Sequence, residues 1–294
     1  MSMALLSTLF LSLQLLSNKE YGRRFPTRLA GGALMNAVAL ALVSGAVALL
    51  GDMESLPGPA ILLAACFGIV FAVTVLLILK SFETGSLGMS SLIINSSLLI
   101  SIVGGVLLWG EALSAEKGIG IFLILLLLVL SAVGEGCSGR NQKNWLGFSL
   151  GAFLGNGVLS LIQKAVTSLY PDISPVNYNG WAYSFAAVIC AVVVLIMWIR
   201  GDRLEEYRAH KLSFLCCALG QGTGSMMGAV FMLKALREIP AIVVYPITQG
   251  GQVLMLWIAG IVIYRDRVRL YDIVKLIVGI TGILFLCGTI HLGY

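Results

Sequence analysis

LILKSFETGSLGMSSLIINSSLLISIVGGVLLWGEALSAEKGIG (residues 77–120) and FMLKALREIPAIVVYPITQGGQVLMLWIAGIVIYRDRVRLYDIV (residues 231–274) are two versions of one pattern. Aligned with one gap, Lys80 meets Lys234, Asn95 meets Gln249 and Glu111 meets Asp266. Each stretch holds a charged turn, a long apolar segment, an acidic cap and a second apolar segment. A weaker correspondence pairs Asn18-Lys19 with Gln163-Lys164.

Outward from these stretches the chain is apolar almost throughout. Of 294 residues, 59% are hydrophobic and 11% charged, against about 25% charged in an average soluble domain. Water cannot be the only solvent for such a surface. Crossing about 30 Å of hydrocarbon takes about 20 helical residues. Apolar runs near that length fall at 3–17, 28–50, 60–79, 88–109, 118–134, 145–163, 180–199, 212–233, 240–263 and 271–290. The runs are long and continuous, which favours helices over the short alternating strands of a barrel. The N-terminal run carries its positive charge after the apolar core, unlike a secretory signal, and reads as a retained helix. The expected fold is an all-α membrane protein of ten transmembrane helices.

The repeat spans five helices. Five is odd, so the second copy enters the membrane inverted, an arrangement common in transporters. The expected units are residues 1–137 and 138–294. Loops after helices 1, 3, 5, 7 and 9 are rich in lysine and arginine, among them Arg23, Arg24, Arg140, Arg203 and Arg267. The other side receives Lys117, Lys164, Lys234 and Arg237. The bias of basic residues toward the cytoplasm puts both termini outside. The setting is a plasma (bacterial inner) membrane, crossed many times.

Several chemistries are disfavoured. The net charge of +5 is spread over short loops, so no nucleic-acid partner is expected. Cys66, Cys137, Cys190, Cys216, Cys217 and Cys287 form no metal-ligand spacing, and the only histidines are His210 and His291. Neither metal nor cofactor is expected, and no enzyme. GQGTG (220–224) lacks a preceding strand and a GK(S/T) ending, so it is no phosphate loop. Glu83, Glu111, Glu135 and Asp266 fall at helix ends, which leaves no obvious buried carboxylate for proton coupling.

Neutral polar side chains do enter the apolar runs. Asn95 lies seven residues into its run and Gln249 nine, about 10 and 14 Å deep at 1.5 Å per residue. Gln14, Asn156, Ser160, Gln221 and Tyr245 also lie well inside. An unpartnered amide in hydrocarbon costs several kcal/mol. These groups therefore bond between helices or line a midplane solute site. Pro246 would free a carbonyl beside Tyr245. Lys164, at the end of helix 6, either snorkels to the outer interface or meets an anionic group at the outer mouth. Gly147, Gly151 and Gly155, and again Gly220, Gly224 and Gly228, form GxxxGxxxG faces that let helices approach closely.

LKSFETGS with WGEALSAEKGIG, and LKALREIPA with YRDRVRLYDIV, resemble motifs of the drug/metabolite transporter superfamily, in its EamA-like branch. Asp266 replaces the usual glutamate, and Lys275 stands where glycine is usual. The resemblance implies ten helices, a central cavity and small metabolites as solutes. It also implies cytoplasmic termini and a basic loop after helix 2, whereas GDMESLPGP there is acidic. The expected function is a secondary transporter or facilitator of a small polar metabolite, working by alternating access. An exporter of drugs or cationic compounds is the alternative; a non-transporting assembly protein is a third reading. Expected partners are a small-molecule solute and the lipid bilayer, with a homodimer as an option.

Overall fold

The computed structural model describes residues 1–25, 29–51, 53–84, 90, 93–132, 142–201, 210–263 and 270–286. Ten helices are defined among them: α1 (Ser2–Arg24), α2 (Leu29–Leu49), α3 (Gly58–Thr84), α4 (Leu98–Trp109), α5 (Ala115–Ala132), α6 (Gln142–Leu169), α7 (Pro175–Ile199), α8 (Lys211–Glu238), α9 (Ala241–Val262) and α10 (Leu270–Leu286). The described residues contain no strand. Five helices (α2, α3, α6, α7 and α8) are long and apolar enough to cross a membrane. Shorter apolar helical stretches lie at Ile93–Trp109, Ala241–Leu256 and Leu276–Leu286. The expected unit boundary at 137/138, with Glu135, Cys137, Arg140, Asp266 and Cys287, lies outside the described residues.

Several helices outrun their apolar stretches. The α1 helix continues from residue 17 to Arg24, because its polar end supports itself. Glu20 accepts from Arg24 at 2.6 Å and from Arg23 at 3.4 Å, one helical turn away, a spacing that stabilises helices. Tyr21 and Phe25 stack there, with Phe214 of α8 edge-on to both. In α6 the helix runs five residues past Lys164, which therefore does not end it.

The fourth run is the one most changed. Past residue 90, its described part is three helical residues at 93–95, a tight turn at Ser96-Ser97, then α4. Here Leu99 bonds back to Ser96 and Ile100 to Ser97, each three residues away. Such 3₁₀ bonding inside a helical stretch tightens the backbone and interrupts the α-ladder. The related helix α9 has its own interruption at Pro246, which has no amide hydrogen to donate.

Helix packing pairs α1 with α8 and α3 with α6, α2 with α7 and α5 with α10. Further neighbours are α3 with α7, α2 with α8, α1 with α9, and α4 with both α9 and α6. The glycine faces explain the closest approaches. A Cβ on Gly224 would sit 2.6 Å from the backbone nitrogen of Gln14 and 2.7 Å from the Phe10 carbonyl oxygen. Gly220 abuts Ser17 and Gly228 abuts Leu11, and Ser7 donates to the Gly228 carbonyl at 2.8 Å. On α6, Gly151 meets Leu77 and Gly155 meets Thr74 of α3, while Gly147 has open space around it. A second matched pair is Gly68, on the Ala182 carbonyl of α7, and Gly222, on the Ala39 carbonyl of α2. These two glycines have the spacing that relates Lys80 to Lys234.

The Gly224 contact is with backbone, which cannot swing aside. Gly224→Ala is expected to lower stability by about 1–3 kcal/mol, as overpacking does. Gly147→Ala is expected to leave it unchanged or raise it slightly, through helix propensity. Thermal unfolding of the two purified variants checks the contrast.

Candidate functional site

At the α8–α9 joint only Ile239 and Pro240 separate the two helices. A helix leaves its first amides and last carbonyls without internal partners, and the two ends carry opposite partial charge. Pro240 supplies the carbonyl that receives Val243 and Val244. The preceding amides of α9, on Ala241 and Ile242, donate to Glu111 instead, at 2.8 Å to Oε1 and 2.9 Å to Oε2. One carboxylate from the α4–α5 loop thus caps a helix some 130 residues downstream.

Lys164 of α6 completes the arrangement. Its Nζ lies 2.8 Å from Glu111 Oε1 and 3.5 Å from the carbonyl oxygen of Leu236, in the last turn of α8. The cation meets the negative end of α8 and the anion the positive end of α9, the favourable sense for both dipoles. Local sequence puts the carboxylate there. Gly110 adopts φ 63° and ends α4, a left-handed conformation that glycine takes without strain. The chain then folds back, and the Glu111 amide bonds to the Gly105 carbonyl at 3.1 Å. A Cβ on Gly105 would lie 2.8 Å from Glu111 Oε2, so the missing side chain makes room for the carboxylate. Nearby, Arg237 donates to the Ile173 carbonyl and ties α8 to the α6–α7 loop.

Two expectations from sequence are corrected here. Lys164 does not snorkel to an interface: its side chain is 12% exposed and paired. Glu111, placed at a helix end by its position in sequence, is a buried carboxylate with its side chain 7% exposed. The outer-mouth anion considered for Lys164 is supplied by the protein itself. Sequence reasoning missed Glu111 as a site residue because its side-chain partners lie in two distant helices, α6 and α9. The WGE signal was visible, but its meaning depends on contacts across the chain.

The remaining expected residues fall into separate places. Tyr245 of α9 donates to the Ser160 carbonyl of α6 at 2.7 Å, one turn deeper than the Lys164 pair. Ser160 Oγ donates to the Asn156 carbonyl at 3.0 Å. Gln221 of α8, 1% exposed, donates to Asn36 Oδ1 of α2 at 2.7 Å, an interhelical bond. Gln14 sits where α1 meets Gly224. Gln249 is half-buried, and its Oε1 is buried without a hydrogen-bond partner among the described residues. Asn95 is half-buried on the turn before the α4 interruption. Tyr245, Ser160, Asn156 and Lys164 therefore share the α6–α9 region, whereas Gln221 belongs to the α2–α8 seam and Gln14 to the α1–α8 seam. Among the described residues there is no cluster of metal-ligand side chains.

Helices of this length and hydropathy, with polar ties between them, define a multi-pass membrane protein. Residues 143–288 match the model of the EamA-like transporter family. This stretch, just short of half of the chain, is similar to that family and points to a membrane transporter of the drug/metabolite type. It is also similar to a solved structure titled "Crystal structure of protein", with TM-score 0.72 and 14% sequence identity. That similarity covers 96% of this chain and 94% of the other, and shows a shared fold. No curated protein matches this sequence.

Burial pushes the Glu111 carboxyl up, but hydrogen bonds from Lys164, Ile242 and Ala241, with the Lys164 charge, more than offset it and hold it below its ordinary value of 4.5. A carboxyl depressed by folding stabilises the fold above its unfolded pKa, and that contribution fades as pH falls through the folded value. Glu111→Gln is expected to lower stability near neutral pH by about 2–3 kcal/mol, the scale of a hydrogen bond to a charged group. The gap between parent and variant should close in acid below about pH 4.5. Thermal unfolding across that range checks it; a gap that does not change with pH would contradict it.

Proposed function

We propose that this chain is a secondary transporter or facilitator for a small polar metabolite, with ten membrane crossings in two inverted five-helix repeats. The observation that carries this reading is the exchange pattern in the packing. Replacing α1–α5 by α6–α10, and the reverse, turns the α1–α8 pair into α6–α3. It likewise turns α3–α7 into α8–α2 and α1–α9 into α6–α4, and returns α2–α7, α4–α9 and α5–α10 to themselves. The matched glycines Gly68 and Gly222 lie on exchanged pairs. Two like halves packed in this manner can open to opposite sides in turn.

The solute region follows from the interruptions. The repeat-related helices α4 and α9 pack together, and each breaks its regular bonding, near Ser96-Ser97 and at Pro246. Irregular backbone at membrane depth is tolerated where it lines a cavity or is covered by protein. Asn95 and Gln249 flank these points, and the Gln249 Oε1 accepts nothing from the described residues. We assign them the solute, with Tyr245, Ser160 and Asn156 alongside. Gln221 and Gln14 take part through the seams that hold α8 in place. The neutral lining favours a polar solute over a cationic drug, because the buried carboxylate Glu111 is already matched by Lys164 and two amides.

The basic-residue bias places both termini outside the cytoplasm of a plasma membrane. A reporter that works only in the cytoplasm, fused after Tyr294, is expected to be silent; activity would overturn this orientation. For the solute, a stabilisation screen of amino acids, sugars, nucleobases and nucleotides should yield a class that raises the melting temperature in line with its occupancy. Asn95→Ala and Gln249→Ala are expected to lose that shift. An undiminished shift in both would move the site elsewhere, and absence of flux into proteoliposomes for every stabilising solute would defeat the transport reading.

A further inference from the structure

Helices α6 and α9 are not among the closely packed helix pairs. They are joined by side chains instead. Lys164 of α6 holds Glu111, which caps α9. One turn deeper, Tyr245 of α9 reaches the Ser160 carbonyl of α6. These helices, each packed against α4, are joined by polar ties rather than by interlocking glycine faces like those of α1–α8.

Interactions of these two kinds behave differently when parted. Separating apolar or backbone-to-backbone packing in a membrane protein leaves voids and forfeits many small contacts. Separating an ion pair just below the surface lets water enter and solvate both charges, which recovers much of what was lost. An ion pair is thus a closure that can be undone and remade. Here it also fixes the α8–α9 joint, since Lys164 holds the end of α8 and Glu111 the start of α9.

Building on the alternating-access reading above, we propose that Glu111 and Lys164 form the latch of one mouth of the transporter. The latch closes the α6–α9 gap on the side of the α4–α5 loop. Opening that mouth releases Glu111 from Lys164 and from the Ala241 and Ile242 amides, frees the α8–α9 joint to bend, and uncovers Ser160 and Tyr245. Glu111 and Lys164 are gating residues: they set which side the site faces and need not touch the solute.

The test uses Ser160→Cys in the full-length chain with its six native cysteines replaced. Ser160 is 8% exposed and lies directly behind the latch. A membrane-impermeant maleimide is applied to right-side-out and to inside-out membrane vesicles. Adding Glu111→Gln, or separately Lys164→Gln, is expected to raise labelling from the α4–α5 loop side by about tenfold, the effect of losing one hydrogen bond to a charged group. Each is expected to lower labelling from the opposite side. Leu113→Cys, in the exposed loop, should label alike in all backgrounds. A merely structural role would loosen the protein and raise labelling from both sides. That result in both variants, or no change in either, overturns the latch. Should Ser160→Cys in the parent label equally from both sides and respond to neither substitution, the alternating-access reading fails with it; sided labelling in the parent that the substitutions leave unchanged fells the latch alone.

Discussion

A backbone amide or carbonyl inside hydrocarbon has no water to bond, and that constraint governs this molecule. It accounts for long helices and for a side chain recruited to a helix end, as Glu111 is to the start of α9. The α8–α9 joint is the sharpest instance. Two helices end within a few residues of each other, so exposed carbonyls and amides of opposite polarity lie side by side. Lys164 answers one and Glu111 the other, and their mutual attraction offsets the burial of each charge. A single turn of α4, closed by left-handed Gly110, is what brings the carboxylate within reach.

Helix existence was legible in the sequence because length and hydropathy suffice to state it. The glycine faces were legible too, as a spacing, and most of their members do pack: Gly224 against the backbone of α1, Gly155 against Thr74. Gly147 shows the limit, since a motif does not say where the partner helix begins. Helix ends were less legible. Polar residues of α1 past position 17 look like loop, yet Glu20 and Arg24 bond one turn apart and extend the helix. The tight turn at Ser96-Ser97 carries no proline or glycine to announce it. The site was the least legible part, for a physical reason. Glu111 and Lys164 each look like interface charges in their own segment, and only the tertiary contact makes them a buried pair.

The polar residues of the interior divide by what they touch. Gln221 and Asn36 bond across α2 and α8, as amides do when their work is to hold helices together, and the Gln221 Oε1 stays buried without a partner among the described residues. Gln249 likewise keeps an acceptor unmatched among the described residues, but in a helix that proline has already interrupted. The first amide lies in a seam between two packed helices; the second lies one turn past Pro246.

The central claim is that the two halves exchange between arrangements that differ at the α6–α9 gap. Spin labels at Leu113, in the α4–α5 loop, and Glu238, at the α8–α9 joint, report the separation across the latch by pulsed electron resonance in lipid nanodiscs. The account predicts two populations of distance, whose ratio moves when a stabilising solute is added. A single narrow distance, unchanged by any solute that the protein binds, would contradict it.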